Sequence, residues 1–354
     1  MITQSDCLVI SGSNDPLDLM EECHRRGWTD GLPVVPPTPD QVARFMDQTN
    51  FTNNHIIGEL PERRREITVE KVAANAVMSG CKPEYFPVVL SACEAMLDPK
   101  FNLVGPSSSL GGAGILLIIN GPLVTNLGIN CRNNLFGPGN RANATIGRAI
   151  RLVLMNACAS IPGLFDRSVF GHPGKYSFCI AESEESPWVQ MHVERGFDDV
   201  DSTVTAFACE GPRQVRTSGS PNVILNTISD AASSLGTSAA TVGSTADTRS
   251  IVRRGEVAVV ISGEANIWKN YDKDKVKLIL YEGIRRNLRD IKIANALGEP
   301  EDGDENTFIQ LLEDPKDIIL IFAGGEEKTM GAVLPSWGPK VSSTSITKLI
   351  PEIS

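Results

Sequence analysis

Histidine is scarce in this chain, with only His24, His55, His172 and His192 among 354 residues. None falls in the His-Glu-x-x-His spacing of a zinc hydrolase, so a histidine-built metal centre is not expected. The eight cysteines include no Cys-x-x-Cys pair, and several lie inside apolar runs. That usage excludes a disulfide-stapled scaffold and a zinc ribbon, and it predicts reduced, buried thiols in a cytoplasmic protein. No apolar run reaches the roughly 20 residues of a membrane span, and the start MITQSDCLVISG has neither a basic region nor an export-length apolar core. No basic block offsets the net charge of −10, so neither nucleic acid nor a membrane is an expected partner.

What is present fits a globular protein with a sizeable core: 41% of residues are hydrophobic and 21% charged. Helical periodicity runs over residues 15–26, 38–48, 68–79, 84–97, 142–159, 220–235 and 272–287. A proline-rich extended strap separates the first two, over 28–39, and residues 49–66 read as loop. Buried strands are expected at 115–120, 256–262 and 318–323, with shorter pieces at 176–181 and 203–209 and a weak terminal element at 343–350. Each of the three apolar runs ends in glycine, at Gly121, Gly263 and Gly324. Strands alternating with helices predict an α/β fold, a mostly parallel sheet with helices on its faces, and the recurrence points to two similar α/β halves. The expected organisation is an N-terminal arm and helices over 1–65 and a first half over 66–160. An irregular site or interface insert then spans 161–219, and a second half 220–354. Ligands of such sheets collect beyond the strand ends, where Asn120, Glu264 and Glu326 lie.

The densest chemistry is in NLGINCRNNLFGPGNRANATIGRAIRLVLMN, residues 126–156, with seven Asn and four Arg around a Gly-Pro-Gly turn. A glycine turn feeding a helix start suits an anion. Arg141, Arg148 and Arg151 share one helical face and could clamp a carboxylate or phosphate. The expected substrate-binding residues are Asn130, Asn134, Arg141, Asn143, Arg148 and Lys175. Cys81, beside Lys82 and ahead of a predicted helix start, is the candidate nucleophile, with Glu84 and Tyr85 as partners and Cys131 as second choice. His192 and His172 bracket an acidic cluster and are candidates for proton transfer. Glu182 joins Cys81 and His192 in the expected catalytic set. Glu182 and Glu184 alternate along an extended segment, where they could bind a hard cation or a substrate ammonium. Asp30, before Gly31 in the strap, is first a turn residue and second a site carboxylate.

The strings WTDGLPVVPPTPDQV, ANAVMSGCKPEYFPVVLSACEAM, FGPGNRANATIGRAIRL and ESPWVQMHVERGF resemble a widespread bacterial family loosely associated with the UGSC (seleno)proteins. Those are named for a selenocysteine-Gly-Ser-Cys motif, which this chain lacks. Relatives often carry a His after the glutamate following the second strand. Here the segment reads Gly263-Glu264-Ala265-Asn266, so no catalytic His carries over. The resemblance implies an enzyme or enzyme subunit, with a small selenoprotein or thiol protein as partner. The expected function is thiol-dependent reductive or lyase chemistry on a small anionic, carboxylate-like substrate, with no cofactor named. The alternatives are a non-catalytic ligand-binding subunit, or a metal-dependent hydrolase or lyase using Glu182, Glu184 and His192. Small residues at Ala142, Ala144, Gly147 and Ala149, with the strap as an arm, predict a homo-oligomer.

Overall fold

A computed structural model describes residues 15–236, 254–295 and 299–352. The helices α1 (Pro16–Arg25) and α2 (Pro39–Met46) each start with proline in the first turn, behind the capping side chains of Asp15 and Thr38. A hairpin of β1 (Ile56–Leu60) and β2 (Arg65–Thr68) comes next, where the polar sequence predicts only loop. Beyond it lie α3 (Val69–Ser79), α4 (Phe86–Met96), the short α5 (Val104–Ser108), β3 (Gly114–Asn120) and the short α6 (Leu123–Asn126). The chain continues through α7 (Arg141–Asn156), β4 (Cys179–Ala181), the short α8 (Met191–Glu194), β5 (Thr203–Cys209) and β6 (Arg213–Arg216). The remainder holds α9 (Pro221–Ala232), β7 (Val257–Ile261), α10 (Lys273–Gly283), β8 (Arg285–Asn287) and α11 (Leu288–Asn295). Last come β9 (Phe308–Gln310), β10 (Ile318–Phe322), β11 (Met330–Pro335) and β12 (Ile346–Leu349).

Two four-stranded sheets, ordered β12-β5-β3-β4 and β10-β7-β11-β6, lie face to face. The core between them is built by Leu116 and Ile118 of β3 against Ala258 and Val260 of β7 and Ile319 and Ile321 of β10. The alternate side chains of β3, Ile115, Leu117 and Ile119, pack instead under α3, α4 and α7. Likewise Val257, Val259 and Ile261 pack under α9 and α10. The result is a four-layer helix–sheet–sheet–helix sandwich among the described residues. It explains why β3, β7 and β10 are apolar at nearly every position: both faces of each strand are covered. Each large apolar side chain contributes about 1.5–3 kcal/mol by leaving water.

The α/β class therefore holds, but the mostly parallel sheet does not. Only β3–β4 and β10–β7 are parallel among the described strand pairs. The ladders β3–β5, β12–β5, β11–β7 and β11–β6 are antiparallel. Continuous apolar runs resemble parallel strands because both kinds are buried on two faces. Here the second cover is another sheet instead of a second helical layer.

The two halves share one plan. In each, a central strand (β3 or β7) crosses over through a helix (α7 or α10) to a parallel neighbour (β4 or β10), and an antiparallel strand (β5 or β11) comes after it. The fourth strand is exchanged. β6, next after β5 in sequence, pairs with β11, while β12, next after β11, pairs with β5.

The small face of α7 is used within the subunit. Ala142 and Ala149 are buried, and a Cβ on Gly147 would stand 2.5 Å from Ser177 Oγ and 2.6 Å from the Phe178 nitrogen. Three of the four small residues are thus packed within the subunit and only Ala144 is exposed, so the assembly expectation loses most of this support.

Candidate functional site

Helix α3 ends in a glycine turn that sets the position of Cys81. Gly80 has φ 86°, the Cys81 N–H donates to the Ala76 carbonyl at 3.2 Å, and the Gly80 N–H to that of Val77 at 2.9 Å. Arg141, first residue of α7, caps the same turn by donating to the Gly80 carbonyl from Nε at 3.2 Å and Nη2 at 3.0 Å. These contacts bring Cys81 and Arg141 together on a cavity of about 420 Å³. Gln41, Arg44 and Phe45 of α2, Val35 of the strap, and Lys82 and Glu84 complete its charged and apolar walls. Three cations face one carboxylate there, in a chain whose net charge is −10.

The thiol itself differs from expectation. Cys81 lies at the carbonyl end of α3, and Pro83–Tyr85 forms only one 3-10 turn before α4 begins. The helix start invoked for thiolate stabilisation is therefore not beside the sulfur. Burial pushes the Cys81 thiol up to about 11, outweighing hydrogen bonds from Ser79 and Thr145 and the nearby charge of Arg141. Ser79 Oγ donates to Cys81 Sγ at 3.3 Å. At neutral pH the thiolate is about one part in ten thousand, so the resting group is S–H. Cys131 is half-buried, and burial raises its thiol as well.

The other arginines of α7 do not form the expected anion clamp. Arg148 binds Asp30 through Nε at 2.9 Å and Nη2 at 2.8 Å, and Nη2 also reaches the Pro33 carbonyl at 2.8 Å. Asn156 donates to the Trp28 carbonyl at 3.0 Å, and the Val35 N–H to that of Met78 at 3.1 Å. The Arg148–Asp30 pair is a bidentate guanidinium–carboxylate contact, and it fastens the strap that walls the Cys81 cavity. Arg151 and Lys175 both bind Asp166, at 3.3 and 2.8 Å. Burial acts to raise the Asp166 carboxyl, but Lys175 and Ser168 outweigh it and hold it low. Asn130 and Asn143 bind each other: the Asn130 N–H donates to Asn143 Oδ1 at 2.7 Å, and Asn143 Nδ2 to the Asn130 and Cys179 carbonyls, both at 3.0 Å. Thus Arg148, Lys175, Asn130 and Asn143 are engaged in holding the fold, and Arg141 alone of the six lines the thiol cavity.

A second cavity, about 430 Å³, opens beyond the carboxyl ends of β7 and β10, roofed by the turn Asn134–Gly137. Its floor is apolar, with Val260, Ala323 and Ala332, and its polar groups include Ser262, Gln214 and Lys328. Asn134, at φ 57°, donates to the Pro138 carbonyl at 2.6 Å and so shapes the roof. The strand ends turn through Gly263 and Gly324, at φ 104° and 105°. A neighbouring cavity of about 400 Å³ shares Glu327 with the cleft. There Arg132 bonds Glu185 at 2.7 Å and also Glu326, while Asn133 donates to Glu327 at 2.6 Å. The cleft's own charged groups are balanced, one carboxylate (Glu327) against one ammonium (Lys328), while Glu264, Glu326 and Glu327 face Arg132 in the neighbouring cavity.

Glu182 and His192 occupy a third place, in the seam near the ends of β3 and β4, and neither lines the Cys81 cavity. Glu182 Oε2 accepts from Asn120 Nδ2 at 2.6 Å and from the Met191 N–H at 2.8 Å. Burial pushes the Glu182 carboxyl up and the His192 imidazole down, so both favour their neutral forms. Glu182 Oε1, Asn120 Oδ1 and both His192 ring nitrogens are buried without a hydrogen bond of normal geometry. Glu184 points away to the surface, where Thr125 Oγ1 donates to it at 3.0 Å. His172 is elsewhere, with its Nδ1 accepting from the Gly174 N–H at 3.2 Å and burial lowering its pKa. The expected set of Cys81, Glu182 and His192 is not assembled around one cavity. Among the described residues, no group of three or more His, Cys, Asp or Glu side chains could hold a metal ion. No helix of the described residues is long and apolar enough to cross a membrane.

Arg44 gave no signal in the sequence beyond an exposed place on α2, and only folding brings it to the cavity wall. Comparison with known proteins finds no matching family model and no similar curated protein.

Proposed function

We propose that this chain is an enzyme or enzyme subunit that takes a small, carboxylate-like anion in the Cys81 cavity. The observation that carries the reading is the set of Arg44, Lys82 and Arg141 around a cavity of about 420 Å³ with a thiol in its wall. Guanidinium and ammonium groups there offset the charge of the ligand, while Val35, Phe45 and Val77 exclude water from its body. A bound anion disfavours a neighbouring thiolate, so it keeps Cys81 protonated. Lyase chemistry with Cys81 as an S–H donor to the bound anion therefore fits this site better than attack by a resting thiolate. The small thiol or selenoprotein partner implied by the family resemblance belongs to the same reading.

Ligand-induced thermal shift with succinate, phosphate, methanesulfonate and thioglycolate tests it. Succinate is expected to raise the melting temperature, and Arg44→Ala and Lys82→Ala are each expected to weaken its binding about tenfold, the loss of one charge-assisted contact of about 1.4 kcal/mol. No response to any of the four anions, or unchanged affinity in both variants, overturns the reading.

A further inference from the structure

We propose that the chain forms a symmetric homodimer through the apolar loop spanning residues 161–170. Six large apolar side chains stand out of the surface there: Leu110 at 65%, Ile161 at 41%, Leu164 at 62%, Phe165 at 45%, Val169 at 63% and Phe170 at 96% exposure. Five of the six lie within ten consecutive residues, and the sixth, Leu110, is brought beside them because the Val169 N–H donates to the Leu110 carbonyl at 3.0 Å. At about 150–200 Å² for each whole residue, these fractions amount to roughly 550–750 Å² of exposed surface, most of it apolar. The largest such patch on a monomer is usually about 300–600 Å². A standard interface buries about 800 Å² on each partner, so the patch supplies most of one side.

A polar anchor fixes the loop in this open form. Asp166 is buried at its centre, bound by Arg151 and Lys175, and the Gly163 N–H donates to the Asp166 carbonyl at 2.9 Å. Arg63 is fixed beneath the loop by the Cys158 carbonyl at 3.0 Å and Ser107 Oγ at 2.8 Å, and its guanidinium lies 5.3 Å from the Phe165 ring centroid. The apolar side chains are therefore displayed on a fixed frame and cannot fold inward without breaking a buried ion pair.

Charge identifies the occupant. Two copies of a chain with net charge −10 repel over most of their surfaces. Across 161–170 the only charged residues are Asp166, neutralised inside, and Arg167. This surface shows a second copy no exposed carboxylate, only Arg167, so the acidic charge that keeps two copies apart elsewhere is missing across 161–170. A two-fold arrangement lets the same patch serve on both sides. The inference is independent of the thiol-cavity reading.

Light scattering on the full chain tests it. At micromolar protein the expected mass is twice 38.2 kDa. Phe170→Asp combined with Leu164→Asp is expected to give 38.2 kDa with the far-ultraviolet dichroism and melting curve of a folded protein. A single-chain mass for the unaltered protein overturns the proposal, as does a dimer that survives both substitutions. A single-chain mass together with co-sedimentation on phosphatidylcholine vesicles reassigns the patch to a lipid surface and also overturns it.

Discussion

The thiol cavity and the strand-end cleft are nearly equal in volume, about 420 and 430 Å³, yet opposite in construction. The first is made where helix ends meet a strap, and charge pairs such as Arg148–Asp30 hold its wall. The second is made where sheet strands end, and its shape comes from glycine turns and an apolar floor. Three cations face one carboxylate at the first, whereas the second carries one of each, Lys328 and Glu327. The difference shows that position at the end of a parallel strand pair does not by itself collect positive charge. The balance of the surrounding charge separates the two.

The largest effect is expected from unfastening the strap. The side chain of Asp30 is 2% exposed and that of Arg148 16%, so Asp30→Ala leaves a buried guanidinium without its carboxylate. A loss of about 3–5 kcal/mol in denaturant unfolding is expected. Anion binding at the thiol cavity should fall with it, while the strand-end cleft stays intact. A loss below about 1 kcal/mol, the scale of an exposed pair, contradicts the anchoring role.

Alkylation rates probe the thiol directly. With its thiol pushed up to about 11, Cys81 should label about a hundredfold more slowly at pH 7 than an ordinary thiol near 9. The rate should climb about tenfold per pH unit up to that value. Mass-spectrometric mapping that finds Cys81 labelled as fast as an exposed thiol at neutral pH removes the S–H donor from the proposal.

The cleft is tested through its glycines. A Cβ on Gly263 would come within 2.8 Å of the Thr329 Cα, at a φ of 104° that side chains rarely adopt. Gly263→Ala is expected to cost about 1–3 kcal/mol, measured by thermal unfolding, and to leave succinate binding at the thiol cavity unchanged. Equal loss of both would show that the two cavities are not separable.

The smallest effect is expected at Glu182. Its folded-state carboxyl is raised by burial, so folding favours the protonated form. The associated stability is present below the unfolded carboxylate range and is lost as pH rises through the raised folded value. Glu182→Gln keeps an oxygen for Asn120 and Met191 but cannot ionise. It should flatten that decline, changing the melting temperature by a few degrees toward higher pH and little at low pH. A variant with the same pH dependence as the parent places the titration elsewhere.

The interior strands were legible because β3, β7 and β10 are apolar almost throughout, and α3, α4 and α7 because their periodicity is regular. The edge strands were not. Arg213-Gln214-Val215-Arg216 buries only Val215, so nothing in its pattern marks β6. In β11, Gly331 and Pro335 interrupt an otherwise apolar stretch. Strand direction was also hidden, since burial on two faces erases the alternation that distinguishes antiparallel sheets. At the site, spacing correctly placed Arg141, Arg148 and Arg151 along one helix, but it carried no information about their partners. Asp30 stands 118 residues from Arg148, and only the folded chain brings them together.

The exchange of β6 and β12 bears on how the molecule is made. During synthesis β5 is complete long before β12 exists, so the first sheet must wait with an unpaired edge. The second sheet, by contrast, finds β6 already made when β11 arrives. Such long-range pairing is slow to form and open to mispairing meanwhile. The nascent first half is thus the stage at which this protein most needs protection, and the sheet that begins first is the one that finishes last.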